Sequence, residues 1–125
     1  MKITSNLKLM RKEWYNAFYS LNIGQLDYLE ADWFFSTNGT KLIYKKHQLR
    51  KLSLLRQDNP TVFQGTRREE IDLHIRELGG IAVVSGTAKI TGGDDEISLV
   101  QFIESWIKIR DAWKLQFLTF ESSVE

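Results

Sequence analysis

The apolar and polar positions at the start of the chain follow a helical period. Apolar side chains recur every three or four residues, with charged and polar residues between them: Leu7, Met10, Trp14, Ala17, Phe18 and Leu21. This spacing predicts an amphipathic first helix that ends at Asn22–Gly24. A short second helix is expected from Gln25 to about Ala31.

An aromatic run and a turn motif come next along the chain. Trp33–Phe35 consists of residue types that favour β-strands. Asn38–Gly39 is typical of a hairpin turn, because both residues tolerate the positive φ angles that such turns require. We therefore expect a small hairpin with strands at Trp33–Thr37 and Lys41–Tyr44.

A third helix is predicted from Lys45 to about Arg56. Its apolar side is marked by Leu49, Leu52 and Leu55, which recur at helical spacing. Asp58–Pro60 ends the helix, because a proline disfavours helical backbone in the residue before it.

Beyond the single proline the period shortens to two residues, which is typical of β-strands. Ile71–Arg76 alternates apolar and polar side chains, and Gly79–Gly80 turns the chain into a strand at Ile81–Ile90. Further strands are expected at Ile97–Ile109 and Trp113–Phe120. Helices followed by long consecutive strands predict an α+β fold, in which a curved antiparallel sheet wraps around the helices as a cone.

The strand Ile97–Ile109 is apolar on both faces, so we expect both faces to be covered. Alternate residues of a strand point to the same face, and we assign Ile103, Ser105 and Ile107 to the inside of the cone. Phe102 and Trp106 have the opposite parity, which predicts that they face outward. Large aromatic side chains in that position indicate a homodimer interface on the outer face of the sheet.

The composition of the 125 residues narrows the possible classes of protein. The chain is long enough for one hydrophobic core, so residues 1–125 are expected to form a single domain. Lys and Arg (17) nearly balance Asp and Glu (16), and the net charge of +1 gives no overall attraction to nucleic acid or anionic membranes. The absence of cysteine excludes disulfides, thiolate metal sites and cysteine nucleophiles, and favours a reducing compartment.

Targeting segments are not evident in the sequence. Met1–Ser20 carries charged residues throughout, which is not the pattern of a signal peptide. No other segment is long and apolar enough to span a bilayer. A cytoplasmic protein that does not enter a membrane is therefore expected.

Two segments in the strand region resemble the paired-strand signatures of the nuclear transport factor 2-like superfamily, closest to its SnoaL-like and unknown-function branches: Ile81–Ala88 and Ser105–Leu115. Upstream, Glu13–Trp14, Asn22–Gly24 and Ala31–Trp33 follow in the order that this superfamily uses. The resemblance covers nearly the whole chain. It implies a cystatin-like α+β roll, with a ligand pocket in the mouth of the cone and dimerisation through the outer face of the sheet.

Steroid isomerases of this superfamily, as the resemblance implies, hold an oxyanion with a tyrosine and a protonated aspartate and use a second aspartate as base. The corresponding positions in this chain are Ala17, Ser105 and, for the base, Thr37 or Asn38. Without these groups the reaction loses its general base and its electrostatic stabilisation together. The steroid-isomerase reaction is therefore not expected.

A pocket in the cone would be lined by large apolar side chains and a few polar groups. The candidates are Trp14, Tyr19, Trp33, Phe35, Phe63, His74 and Ser105. Core packing explains the aromatic residues equally well. His74 could act as an acid or base, since the pKa of histidine lies near neutrality, or it could face solvent. His47 and His74 lie too far apart in sequence to indicate a zinc site, so we expect no metal and no cofactor.

The sequence contains one basic and one acidic cluster that could bind charged partners. Six basic residues have no acidic residue among them: Lys41, Lys45, Lys46, Arg50, Lys51 and Arg56. Such a patch could contact phosphates, but a charged outer face is also what a soluble helix needs. With no nucleic-acid motif in the chain, no nucleic-acid partner is expected, and another partner for helix Lys45–Arg56 is left open. Asp94–Glu96 is predicted to be a solvated turn, because it lacks the ligand spacing of a calcium loop.

Three hypotheses about function follow. The first is that the cone binds a small, mostly apolar molecule in its mouth. The second is a non-catalytic, dimeric protein-interaction module, and the third is a divergent lyase, isomerase or hydrolase that uses His74. Free volume beneath Trp14, Trp33 and Ser105 would separate the first hypothesis from the second, because a filled cone has no room for a ligand.

Overall fold

The computed structural model describes residues 6–123 as three helices and a six-stranded sheet. In chain order the elements are α1 (Leu7–Tyr19), α2 (Ile23–Leu29), β1 (Glu30–Thr37), β2 (Leu42–Tyr44), α3 (Lys45–Asp58), β3 (Arg67–Leu78), β4 (Ile81–Thr91), β5 (Ile97–Ile109) and β6 (Ala112–Ser123). Within this part of the chain, no helix has the length and apolar character needed to cross a membrane.

The strands form one curved, unclosed sheet in the order β2-β1-β6-β5-β4-β3. All neighbouring strands are antiparallel except β1 and β6, which run parallel. The helices cover the concave face, where the buried core residues lie. The predicted α+β fold with a curved sheet around the helices is therefore confirmed.

The connection between the first two helices differs from the prediction. Leu21 has a positive φ of 56° and makes the turn, and the Asn22 backbone N–H donates to the Ala17 carbonyl at 2.8 Å. The side chain of Asn22 then caps α2 by accepting a hydrogen bond from the Gln25 backbone N–H at 3.2 Å. Because Asn22 is the cap, α2 begins at Ile23, before the predicted start.

The strand β5 has the predicted bounds, whereas β3, β4 and β6 are longer than predicted, and β3 contains an irregularity. Asp72 has a positive φ of 55°, and the pairing of β3 with β4 shifts between Ile71 and His74. This β-bulge interrupts the simple alternation of faces. As a result His74 lies opposite Ser85 on the outer face, and Ile75 turns inward.

The orientation predicted for β5 is wrong. Phe102 and Trp106 face the helices and are 3% and 0% exposed, whereas Ile103 faces outward and is 46% exposed. Ser105 and Ile107 share the outward parity of Ile103. Successive residues of a strand point to opposite faces of the sheet. The burial of Phe102 and Trp106, the two largest side chains of β5, therefore determines which face each remaining residue occupies.

The core is built from both sequence halves. The largest of its fully buried apolar side chains are Trp106, Trp113, Phe34, Leu21, Leu26, Leu29, Leu115 and Val84. They come from α2, the α1–α2 turn and the four strands β1, β4, β5 and β6. The core lies at the α2 end of the concave face, and the other end is left less completely filled.

Candidate functional site

A cavity of about 630 Å³ opens at the less filled end of the concave face. Its walls are the inner sides of α1 and α3, the loop after α3, and inward-facing residues of the sheet. Eight aromatic residues contribute to its lining: Trp14, Tyr15, Phe18, Tyr19, Phe34, Phe63, Phe102 and Phe120. The volume is in the range typical of small-molecule sites.

The aromatic rings of one wall are packed against each other. Phe18 lies parallel to Trp14 at 5.5 Å between ring centroids and to Phe63 at 5.4 Å. Tyr19 meets Phe63 edge-on at 5.7 Å. These are the offset and edge-to-face arrangements that aromatic pairs favour, so α1 and the loop after α3 form one continuous aromatic wall.

Three of the residues that the sequence suggested for the pocket border this cavity. Trp14 and Tyr19 reach it from successive turns of α1, and Phe63 reaches it from the loop after α3. The cavity therefore lies beneath Trp14, one of the three residues under which the small-molecule hypothesis places free volume.

Trp33, Phe35 and Ser105 do not line the cavity, and their assignment to it is wrong. The indole of Trp33 is half exposed and donates to Gln116 Oε1 at 2.8 Å, and Phe35 stacks on Phe117 at 5.4 Å. Ser105 Oγ accepts from Gln116 Nε2 at 3.2 Å on the same outer face. In β1 the residues that point inward are Phe34 and Ser36, which have the opposite parity.

His74 also lies outside the cavity. Its exposed side chain is on the outer face of β3, opposite Ser85 of β4, because the bulge at Asp72 changes the parity of the strand. It borders an open groove on that face instead. His74 therefore does not reach the cavity, and the hypothesis of an enzyme that uses His74 stays a prediction.

Phe102 and Trp106 do not form the predicted outer surface. Phe102 lines the cavity, and Trp106 is enclosed in the core, where its indole Nε1 donates to Glu104 Oε1 at 2.8 Å. Neither side chain can contact a partner subunit without unfolding of the sheet. Any interface on the outer face must use other residues.

A buried carboxylate lies next to the cavity. Glu104 is 1% exposed and projects from β5 between Phe102 and Trp106. Arg11 donates to it twice, from Nε at 2.6 Å and from Nη2 at 2.8 Å, and the Tyr15 hydroxyl donates to Oε2. Together with Trp106, these donors satisfy both oxygens of the carboxylate.

A second carboxylate extends this network to the cavity wall. Glu70 of β3 accepts from Arg11 Nη1 at 3.0 Å and from Arg11 Nη2 at 2.7 Å. Arg68 Nη2 donates to Glu70 Oε2 at 3.1 Å, and the Arg68 guanidinium lies 3.8 Å from the centroid of the Tyr15 ring. Arg68 lines the cavity, and its buried Nε–H has no acceptor.

The electrostatic state of the network follows from its burial and its pairing. Burial and the nearby charge of Glu104 raise the pKa of Tyr15, so its hydroxyl remains a donor. Burial alone would lower the pKa of Arg11, but hydrogen bonds to Glu104 and Glu70 outweigh it and raise that pKa. Burial likewise opposes ionisation of Glu70, yet the hydrogen bonds and charge of Arg11 hold its pKa below the usual value. The network therefore contains two cations and two anions.

A third buried carboxyl, Glu30, sits behind the cavity wall. Its Oε2 accepts from the Trp14 indole Nε1 at 3.0 Å, and its Oε1 has no partner. Burial raises the pKa of Glu30 to about 7, although Gln48 and Trp14 act in the opposite direction. The Oε1 of Gln48, which lines the cavity, is also unpartnered. Both oxygens are therefore buried acceptors without a donor.

Sequence reasoning missed the buried ionic network. Arg11 stands on the apolar face of α1 between Leu7 and Trp14, at the same spacing, and this position could have marked it as buried. Glu104 lies two residues from both Phe102 and Trp106, which equally indicates a shared face. The partnerships themselves join residues far apart in sequence, and no local pattern predicts them.

The observed orientation of β5 also changes the comparison with steroid isomerases. Glu104, the neighbour of Ser105, faces inward, and the hydroxyl of Tyr15 on α1 donates a hydrogen bond to it. Glu104 is not part of the cavity lining, however, and its oxygens already accept four hydrogen bonds. A tyrosine–carboxyl pair is therefore present, but it is part of the ionic network.

One residue of the basic cluster and one of the acidic turn make local hydrogen bonds. Lys45 of the basic helix donates to the carbonyls of Asp27 and Glu30 at 2.9 and 3.1 Å, where α2 ends. In the acidic turn, Asp94 Oδ1 accepts from the Glu96 backbone N–H at 3.1 Å. Residues 6–123 contain no group of three or more His, Asp or Glu side chains that could hold a metal ion.

Comparisons with known proteins identify the fold. No protein-family model matches the chain, and no characterised protein matches it in sequence. Solved structures do match: a candidate dehydratase of the NTF2-like family from Streptomyces avermitilis has a TM-score of 0.76 at 18% identity, over 95% of this chain and 94% of that chain. A candidate ketosteroid isomerase from Shewanella frigidimarina has a TM-score of 0.72 at 16% identity, over 90% and 92%.

A third match is an NTF2-like protein of unknown function in nutrient uptake from Rhodospirillum rubrum. Its TM-score is 0.74 at 16% identity, and the match covers 96% of this chain and 100% of that chain. At these identities the likeness concerns the fold, while the reactions and ligands of the matched proteins are their own.

Proposed function

We propose that this chain, which has the nuclear transport factor 2-like fold, binds a small, mostly apolar molecule in the aromatic cavity. The observation that carries the proposal is an open volume of about 630 Å³ lined by rings from both α1 and the loop after α3. Burying such a surface under a ligand removes apolar area from water, which is the main source of affinity in sites of this kind.

The polar groups around the cavity support binding more than catalysis. Tyr15 is hydrogen-bonded to Glu104, and Glu70 accepts hydrogen bonds from Arg11 and Arg68. A general base needs a lone pair that is free to accept a proton from the substrate. The solved structures described as a dehydratase and an isomerase share only the fold, so neither reaction is proposed for this chain.

The proposal is tested with a neutral apolar dye. N-phenylnaphthylamine gains fluorescence in apolar surroundings, and we expect saturable binding to the full chain together with a rise in melting temperature, since a ligand of the folded state stabilises it. Absence of both effects with this dye and with a panel of neutral aromatic compounds would contradict the proposal.

A matched pair of variants locates the binding site. Ser98 lies on the cavity wall, and Ser85 lies on the outer face of the neighbouring strand. Ser98→Trp is expected to fill part of the cavity and weaken dye binding by at least about tenfold, which corresponds to about 1.4 kcal/mol. Ser85→Trp, the control, should leave dye binding unchanged. Equal effects of the two variants would place the dye elsewhere.

A second proposal, self-association, rests on the outer face of the sheet. This face exposes large apolar side chains from three adjacent strands: Ile71, Ile81, Val83, Leu99 and Ile103. Apolar side chains spread across neighbouring strands are typical of protein interfaces, and a second copy of the same face would cover them symmetrically. We propose a homodimer through these residues in place of Phe102 and Trp106.

Light scattering tests the dimer. Ile103→Lys should convert a dimeric chain to a monomer, because it places a charge in the centre of an apolar interface. Leu9→Lys, which also replaces an exposed apolar residue but on α1, should leave the dimer intact. A monomeric wild-type protein, or a dimer that survives Ile103→Lys, would contradict the proposal.

A further inference from the structure

We infer that the cavity prefers a ligand with an apolar body and a carboxylate group, and that Arg68 binds the carboxylate. The inference rests on the proposed function, because it assumes that the aromatic cavity is occupied by a small molecule. It adds the chemical class of that molecule. The feature that supports it is the incomplete hydrogen bonding of Arg68 at the cavity wall.

Arg68 has more donors than the protein uses. A guanidinium carries five N–H groups, and the hydrogen bond that Arg68 makes within the protein goes from Nη2 to Glu70 Oε2. The Nε–H is buried and has no acceptor. The Nε–H is closed to solvent, so a ligand would bind the guanidinium through the N–H groups of Nη1 and Nη2 that Glu70 leaves free.

The guanidinium is held in place without a ligand. Its Cζ atom lies 3.8 Å from the ring centroid of Tyr15 and 4.9 Å from that of Phe102. The side chain is 12% exposed and tied to Glu70 at one end. A cation fixed in this way loses little conformational freedom when a ligand binds, and a planar fork matches a carboxylate better than a single charge does.

The hydrogen bonds near the cavity leave Arg68 able to bind an acid. Arg11 donates two hydrogen bonds to each of Glu70 and Glu104, so both carboxylates have donors besides Arg68. The two arginines and the two carboxylates balance in charge, so the preference for an acid rests on the N–H groups that Arg68 does not use. Lys51, Asp94 and Glu96 also border the cavity, but these side chains are exposed and their charges are screened by solvent.

The test compares two molecules that differ in one group. Naphthoic acid and naphthalenemethanol have the same rings, and at pH 7.5 the first carries a carboxylate whereas the second is neutral. Calorimetric titration of the full chain should show the acid binding at least about tenfold tighter, as charge-assisted hydrogen bonds are the stronger ones. The alcohol reports on the cavity alone.

Variants of Arg68 identify the group responsible. Arg68→Lys keeps the charge but removes the fork, and the preference for the acid should fall several-fold. The double variant Arg68→Met with Glu70→Gln removes one cation and one anion together, so the buried network stays neutral. In this variant the preference should disappear while the affinity for the alcohol stays within about threefold of wild type. Arg67→Met, an exposed neighbour on the same strand, is the control and should change neither affinity.

The outcomes separate the two proposals. If wild type binds both molecules equally well, or if the double variant keeps the preference for the acid, the assignment to Arg68 is overturned and the aromatic cavity still binds ligands. If neither molecule binds and the neutral dye also fails, the proposed function is overturned, and the inference about Arg68 with it.

Discussion

Arg11 Nε lies 2.6 Å from Glu104 Oε1, and this ion pair joins α1 to β5 in a place that solvent barely reaches. The two residues are 93 positions apart in sequence. Burial of an ion pair contributes little net stability, but removal of one partner leaves an uncompensated charge. The pair is therefore a sensitive point of the fold, next to the cavity.

The variant Glu104→Gln tests this pair. The amide has nearly the same volume, but it places an NH₂ donor among the donors of Arg11, Tyr15 and Trp106. We expect a loss of about 3 kcal/mol in the free energy of unfolding, measured by denaturant titration. Glu121→Gln, at an exposed position of the neighbouring strand, should change it by less than about 0.5 kcal/mol. A similar result for both variants would mean that the buried pair has no special role.

Glu30 predicts a pH dependence of stability. Burial raises its pKa from 4.5 to about 7, so between these values the folded protein binds a proton that the unfolded chain releases. The stability contribution of this group is therefore fully present below about pH 4.5 and is lost as the pH rises to about 7, by up to about 3 kcal/mol. Unfolding free energies measured between pH 5 and pH 8 should show this decline.

The variant Glu30→Gln separates this effect from other titrating groups. A neutral amide mimics the protonated carboxyl and does not ionise in the buried site. The variant should be more stable than wild type at pH 8, by about 2 kcal/mol, with little difference at pH 5. Asp32→Asn, an exposed position on the same strand, should keep the wild-type profile. An unchanged profile for Glu30→Gln would show that Glu30 does not titrate in this range.

Gly93 lies where the turn between β4 and β5 contacts the loop after α3, so a side chain at this position is expected to displace that loop. A Cβ atom at this position would lie 2.8 Å from the Gln64 carbonyl, in the loop that carries Phe63. Gly93→Ala should push that loop away, reduce stability by about 1–2 kcal/mol and weaken dye binding. Gly80→Ala is the control, since its Cβ would meet open space. Unchanged thermal unfolding and dye affinity for Gly93→Ala would refute this expectation.

Lys45 predicts a local contribution to the end of α2. Its ammonium group binds the carbonyls of Asp27 and Glu30, in the position where a cation complements the helix dipole. Lys45→Met should lower the unfolding free energy by about 1–2 kcal/mol. Lys46→Met, the adjacent exposed residue, should have no measurable effect. If the two variants unfold alike in denaturant, the contacts of Lys45 do not stabilise the fold.

The order and type of the elements were predictable because they depend on local patterns. Helical spacing marked α1 and α3, Asn38–Gly39 marked the hairpin, and alternation marked the long strands. The curved sheet was expected from helices followed by long strands, and the resemblance to nuclear transport factor 2-like proteins implied the same roll. The boundaries differ where a side chain such as Asn22 caps an element.

The faces of the strands were less predictable, since both faces of β5 are apolar. Trp106 could have packed outward against a partner or inward against α1, and the sequence around it does not distinguish the two. The bulge at Asp72 likewise prevented prediction of which residues of β3 face inward, because it interrupts the alternation of the strand. Two of the incorrect pocket assignments, Ser105 and His74, trace to these uncertainties. Trp14 and Tyr19 are on a helix, where spacing alone specifies the face.

The parallel pairing of β1 with β6 has a consequence for how the chain folds. β6 follows every other strand in sequence, yet it occupies the centre of the sheet and links the hairpin β1–β2 to the meander β3–β5. The two parts cannot join until β6 is inserted, and contacts between distant segments slow the search for the native state. Completion of the sheet, and with it of the cavity wall to which β6 contributes, is therefore expected to be a late kinetic event in folding.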